Sequence, residues 1–166
     1  MPLDRFSAAW REGYVSSVVA NEHAGTEGEC VFCALALEEI SEDSGVLWRS
    51  AFSYVALNAF PYGSGHLLVL PRRHVKSPTD LTDAEYQDFT QAIRATIAAL
   101  EKAYNPDGLN VGMNLGQAAG AGIPMHLHAH VLPRWSGDTN FMTTIAETRV
   151  LPESLLSTWK KVHTQL

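Results

Sequence analysis

Cysteine is scarce in this chain: there are two in 166 residues, both within the segment Cys30-Val31-Phe32-Cys33. One such pair supplies no framework of cross-links, so the fold must rest on an apolar core, and a chain of this length can bury one. Long apolar runs are missing too; none approaches the ~18 residues that a membrane-spanning helix needs. Residues Met1 to Glu12 contain Asp4, Arg5, Arg11 and Glu12 and no apolar stretch, so no secretory leader is expected there and the expected location is cytoplasmic. Charge is sparse, at 18% of residues, and the net value is −6. That balance offers no general field to a nucleic-acid backbone or an anionic membrane, and neither is an expected partner. The basic residues Arg72, Arg73, Lys76 and Arg134 lie close to histidines in sequence, which fits a small phosphate ligand better than a polymer.

What the chain has is histidine in one unusual place. Met125 to Pro133 reads Met-His-Leu-His-Ala-His-Val-Leu-Pro. Alternation with period two signals a strand, and residues i, i+2 and i+4 of a strand share a face. The segment is therefore expected to present His126, His128 and His130 on one side, with Met125, Leu127, Ala129 and Val131 on the other. Successive imidazoles would stand ~6.6 Å apart, two strand rises. A core-facing row would not be all histidine, and a solvent-facing row has no reason to be. Such a row can hold a metal, or can divide the roles of nucleophile, acid and charge stabiliser around phosphorus.

The Cys30–Cys33 pair has three readings. A thioredoxin-like redox pair belongs on a βαβ pattern that is absent here. Two buried thiols are a second reading, and half of a tetrahedral zinc site completed by histidines is the third.

Along the chain, Trp10 and Tyr14 are expected to cover the edge of the core, and residues 21–28 to form a loop. A short helix is expected over Ala34 to Ile40, followed by a turn at 41–45. Val46 to Asn58 is rich in strand formers and supplies two strands or a bent one; His66 to Leu70 is a buried strand ending at Pro71. Thr82 and Glu85 form a capping box, with Leu81 and Tyr86 as a hydrophobic staple. Tyr86, Phe89, Ile93, Ile97, Leu100 and Tyr104 then make one apolar stripe, ended by Pro106 and Gly108. Leu109 to Leu115 alternates, with Asn110, Gly112 and Asn114 on one face. The small-residue loop Gly116 to Gly122 leads into the histidines, and glycines let backbone amides approach a phosphate. A short strand is expected at 140–145. A last helix opens at Pro152-Glu153-Ser154, with Leu155, Leu156, Trp159 and Val162 inward. This order is α+β with an antiparallel sheet.

The run His126-Leu127-His128-Ala129-His130-Val131-Leu132 resembles the signature of the histidine triad family, His-φ-His-φ-His-φ-φ with φ apolar. The likeness continues through Pro133-Arg134-Trp135 and back through Asn58-Ala59-Phe60-Pro61 and Gly65-His66-Leu67-Leu68-Val69. It covers about residues 30–145 of a single domain, 1–166, and leaves 146–166 as a C-terminal extension. The resemblance implies a sheet of about five strands backed by one long helix, with short N- and C-terminal helices. The branch most like this chain acts on diadenosine polyphosphates, by hydrolysis or phosphorolysis.

Carried over by position, the resemblance implies His128 as nucleophile at an α-phosphorus, forming a nucleotidyl-histidine. His130 would act at the leaving group, with His126 beside them. Asn58, Asn114, Gln117, Gly120, Gly122, Phe32 and Trp135 would be nucleotide contacts, and Cys30, Cys33, His74 and His126 the ligands of a structural zinc. A closed four-ligand site leaves no position for activating water. His66 reads as a satisfied structural histidine. The expected partners are a small nucleotide and a second copy of the chain. Relatives that use phosphate as acceptor tend to carry a hydroxyl in the glycine-rich loop; Ala121, Gly122, Ile123 and Pro124 stand here, which favours hydrolysis. The alternatives are an adenosine 5'-phosphoramidate hydrolase, phosphorolytic release, a nucleotide sensor without turnover, and a metallohydrolase in which the three histidines bind a catalytic metal.

Overall fold

Five short runs pair into one antiparallel sheet: β1 (Val46–Arg49), β2 (Ser53–Leu57), β3 (Leu67–Pro71), β4 (Gly108–Met113) and β5 (Ala129–Arg134). Their order is β1-β2-β3-β5-β4, so the most apolar strand, β3, is central and wholly buried. The computed structural model describes residues 30–139 and 153–166. Trp10, Tyr14, the loop at 21–28, the strand expected at 140–145 and Pro152 lie outside them. Val46 to Asn58 is two strands because Ser50 closes a hairpin: its Oγ accepts the Ser53 N–H at 3.0 Å, and its own N–H donates to Ser53 O at 2.9 Å.

Helix α1 (Val31–Leu35) lies on one face of the sheet beside Tyr54, Ala56, Leu68 and Leu70. It starts three residues before the helix expected at Ala34 and ends five residues short of Ile40. Leu37 is 82% exposed, so no apolar contact prolongs it. Helix α2 (Asp83–Tyr104) covers the other face, where Phe89, Ala92, Ala99 and Leu100 meet Val55, Val69, Leu127, Ala129 and Val131. Each large side chain buried there contributes about 1.5–3 kcal/mol. The buried stripe is rotated from the expected one: Glu85, Ala92, Thr96 and Ala99 are inside, Ile93 and Ile97 lie at the rim, and Tyr86 is 50% exposed. Small residues thus share the inward face with Phe89 and Leu100. Asn105 ends the helix in the left-handed region (φ 43), donating its N–H to Glu101 O at 2.9 Å before Pro106 stops propagation.

Helix α3 (Leu155–His163) seals the outer edge of the sheet. A register shift between Val46 and Trp48 turns Leu47 and Trp48 together toward the α2 side, and α3 approaches there. Trp159 Nε1–H donates to Val46 O at 3.0 Å and His163 Nδ1–H to Leu47 O at 2.9 Å. The inner face is Thr158 and Val162 with Trp159 partly buried; Leu155 and Leu156, expected inward, are 38% and 46% exposed. The helix begins after Ser154, whose Oγ accepts the Ser157 N–H. Among the described residues no helix is long and apolar enough to cross a membrane.

At the start of α2 the expected capping box forms, with Glu85 Oε2 accepting the Thr82 N–H at 2.8 Å and Thr82 Oγ1 accepting the Glu85 N–H at 3.3 Å. Glu85 also binds Arg73 through two contacts of 2.7 Å. The Arg73 guanidinium holds the Glu85 carboxyl down at about 2, below its ordinary 4.5. A lowered folded-state value means that the pair stabilises above pH 4.5 and that its contribution fades as pH falls through about 2. Arg73 is half exposed, which screens the pair. Glu85→Gln is therefore expected to lower the melting temperature by a few degrees at pH 7, with the gap to the native chain closing on acidification; calorimetry across pH 2–7 reads this.

Candidate active site and metal centre

The β3–β5 ladder pairs Leu67 with Val131, Leu68 with His130 and Val69 with Ala129, and the chain beyond departs from it. Strand β5 starts at Ala129, so of the three histidines only His130 belongs to the sheet. Pro71 has no N–H to continue the ladder, and the Leu127 N–H bonds to Val75 O at 2.5 Å instead. The alternation nevertheless persists. Leu127, Ala129 and Val131 are buried on the α2 side, whereas Met125, expected with them, is 40% exposed. The histidine rings turn to the α1 side. His128 and His130 stand 5.1 Å apart, closer than two strand rises, and Phe32 of α1 lies 5.2 Å from His128 and 5.6 Å from His126.

His126 is 1% exposed and is held at both ring nitrogens. Nε2–H donates to Pro71 O at 2.9 Å, while Nδ1 faces Cys30 Sγ at 3.4 Å and Cys33 Sγ at 3.5 Å. Cys33 Sγ is 3.2 Å from His74 Nδ1, and one donor atom from each of the four residues lies within 4.8 Å of the others. Zinc–sulfur bonds of ~2.3 Å and zinc–nitrogen bonds of ~2.0 Å at a tetrahedral angle place sulfur and nitrogen ~3.5 Å apart, so the set fits that ion. The Pro71 carbonyl is the outer partner that such a ligand histidine needs. Burial lowers the His126 pKa to about 4, which keeps the ring in the neutral, ligating form. The structure thus brings together the four residues that the resemblance implies.

His128 lies outside that cluster. Its Nδ1–H donates to the backbone carbonyl of His126 at 2.8 Å, and burial holds its pKa below 6.5. The ring is neutral at pH 7 with its lone pair on Nε2. His130 has the opposite tautomer. The Tyr62 N–H donates to His66 Nδ1 at 3.0 Å, so the His66 proton is on Nε2, and that nitrogen is 3.0 Å from His130 Nδ1. His130 Nδ1 accepts and its Nε2 carries the proton. Two neighbouring imidazoles are therefore a lone-pair donor and a hydrogen-bond donor.

His66 is buried and satisfied, as expected, but its part in setting the tautomer of His130 is not readable from sequence. Neither is that of Tyr54, whose hydroxyl donates to Phe32 O at 2.7 Å. The pairing of Leu68 with His130 puts His66 on the histidine face, and only strand register gives that away.

The other expected contacts fall into two groups. Phe32 borders the histidines, and the glycine-rich loop leads into them in sequence. In that loop Gly116 (φ 82) and Gly120 (φ 89) need glycine, and no atom stands within 3.9 Å of a Cβ built on either. The Gly120 N–H is used inside the loop, on Gln117 O at 2.9 Å, and Asn114 Nδ2 braces Gly120 O at 3.4 Å. Gln117 is exposed and Gly122 half-buried. Asn58 serves its own turn: Oδ1 accepts the Phe60 N–H at 2.9 Å, and Nδ2 lies 3.3 Å from His66 Nδ1. Trp135 sets its ring 5.9 Å from Tyr104 of α2, the helix on the face away from the histidines. Arg73 and Arg134, expected to attract an anion, are neutralised by Glu85 and by Asp138, the latter at 2.5 Å.

The metal centre is open to direct test. Purified protein is expected to carry about one zinc ion per chain, and Cys33→Ala or His74→Ala to lower that content and the affinity by about tenfold or more. Elemental analysis after dialysis decides; full zinc in His74→Ala protein would remove His74 from the ligand set.

A model of the HIT domain matches residues 40–137. The AP-4-A phosphorylase of Mycobacterium tuberculosis is 34% identical over 164 residues, 98% of this chain and 84% of that protein. The asymmetrical bis(5'-nucleosyl)-tetraphosphatase of Schizosaccharomyces pombe is 35% identical over 95 residues, 57% of this chain and 52% of that protein. A crystal structure of a zinc-bound histidine triad family protein from Mycobacterium smegmatis has the same fold, with a TM-score of 0.66 at 24% identity over 84% of this chain and 94% of that one. With its five-stranded antiparallel sheet, long covering helix and matched signature, the chain belongs to the HIT domain family.

Proposed function

We propose that the protein cleaves dinucleoside polyphosphates at an α-phosphorus through a nucleotide carried on His128. The opposed tautomers of His128 and His130 carry this reading. His128 Nε2 attacks phosphorus in line and the bond from phosphorus to the bridging oxygen breaks. The product is a phosphorylated imidazolium whose remaining N–H still donates to His126 O. The departing nucleotide leaves as a phosphate anion, which needs no proton at pH 7; the His130 N–H donates a hydrogen bond to the developing charge. In the second step an acceptor oxygen attacks, the phosphorus–nitrogen bond breaks and Nε2 recovers its electron pair; a water acceptor gives up one proton to solvent, and a phosphate acceptor adds as its anion. Phe32 packs the base, and Gln117 with the Gly122 amide meets the phosphate oxygens. The ion held by Cys30, Cys33, His74 and His126 is zinc, and its role is structural.

Water as acceptor releases a nucleoside monophosphate. A second reading, inorganic phosphate as acceptor, is favoured by the match along 98% of the chain to a protein named as a phosphorylase. A phosphoramidate is the poorer substrate, because an amine leaving group requires a proton that His130 gives up only by drawing another through His66.

His128→Ala is expected to lower turnover of diadenosine tetraphosphate by about 10³-fold or more. His66→Ala should retain the covalent step but slow it by about 10²-fold. Turnover with and without added phosphate, with products identified by mass, separates monophosphate from diphosphate release and a phosphoramidate substrate from an anhydride. Normal activity in His128→Ala protein would end the proposal.

The partner copy is assigned to β4. Among the described residues this strand pairs with β5 alone; Val111 and Met113 stand 46% and 41% exposed, and Leu115, just beyond the strand, 48%. An open apolar edge is a template for a second strand, so the assembly is a dimer. Met113→Lys is expected to give a monomer by light scattering.

A further inference from the structure

We infer that the Cys30–Cys33–His74–His126 centre governs the nucleophile itself, by fixing the tautomer and position of His128 through the His126 main chain and the Phe32 ring. This rests on the reading of His128 as the covalent nucleophile.

The first link runs through the chain. The His126 carbonyl is the acceptor that keeps the proton of His128 on Nδ1, at 2.8 Å. That carbonyl is only as well placed as the residue bearing it, and His126 is anchored by Nδ1 among the sulfurs and Nε2–H on Pro71 O. The intervening Leu127 N–H is held by Val75 O, next to the ligand His74. His126 is thus held by the centre as one of its ligands, and Leu127 by the residue that follows the ligand His74.

The second link runs through α1. This helix has five residues, no fully buried side chain, and Cys30 at its N-cap without a side-chain capping bond. One turn of helix does not hold itself together in water. It is held by the packing of Phe32 and Leu35 on the sheet, by the ligand pair that brackets Phe32, and by the Tyr54 hydroxyl on Phe32 O at 2.7 Å. The Phe32 ring touches both His126 and His128, so a displaced α1 removes the wall against which His128 rests. Tyr54 and His126 are then positioning residues: neither has to touch substrate to affect the reaction.

The test compares zinc-loaded, chelator-depleted and zinc-restored protein in three measurements. Far-ultraviolet dichroism reports the fold, two-bond proton–nitrogen NMR reports the His128 tautomer, and rapid-quench mass spectrometry reports the nucleotidyl-protein formed from diadenosine tetraphosphate. The depleted protein is expected to keep its sheet, to lose the single Nδ1–H signature of His128, and to form the adduct at least tenfold more slowly, with recovery on adding zinc. An unchanged tautomer and adduct rate in folded, depleted protein overturns the inference.

If depletion unfolds the chain, zinc-loaded Tyr54→Phe protein decides. It is expected to retain zinc while the adduct rate falls about fivefold, the effect of one hydrogen bond, and KM changes less than kcat. A native rate in that variant overturns the inference. Absence of any adduct in zinc-loaded native protein would instead refute the reading of His128 as nucleophile, and the tautomer measurement would still judge the link to the metal centre.

Discussion

The contact between His126 Nε2–H and the carbonyl of Pro71 organises the site. Pro71 ends β3 and, lacking an N–H, cannot extend the ladder toward β5. The chain entering β5 is thereby released from the sheet while still lying beside it. Its first histidine reaches back to that carbonyl and turns its other nitrogen to the two sulfurs, and the second uses the main chain of the first as its hydrogen-bond acceptor. The third enters the ladder opposite Leu68 and takes its orientation from His66. Three residues of one chemical type, two apart, thus acquire three environments.

The sheet separates two kinds of work. On the α2 side the packing is apolar and continuous, and side chains are selected for volume. On the α1 side apolar residues share the surface with histidines, thiols and a tyrosine hydroxyl, each matched to a specific partner. Buried polar groups of this kind are costly when unmatched, so errors on this face would be felt first in chemistry, and errors on the other in stability.

Much of this was legible in the residues. The Cys-x-x-Cys pair alone left a metal site as one of three readings; the resemblance to the histidine triad family named Cys30, Cys33, His74 and His126, and the fold brings those four together. Helix α2 announced its start through Thr82 and Glu85. Sequence could not show that β5 begins after His128, since that depends on a proline in another strand. It also misjudged part of the side of α2 that faces inward: Phe89 and Leu100 are buried as expected, but Ala92, Thr96 and Ala99 share that face while Tyr86 is exposed and Ile93 lies at the rim. The same limit applied to Trp135 and Asn58, whose partners Tyr104 and His66 are set by tertiary placement.

The two margins of the sheet are unlike. Along β1 the outward carbonyls of Val46 and Leu47 are already engaged by Trp159 and His163, whereas among the described residues β4 pairs on its inner side alone, with β5. A ribbon with one finished border can be lengthened from the other side only. The short C-terminal helix thereby acts as a terminator at the β1 border, denying another strand the carbonyls it would need there.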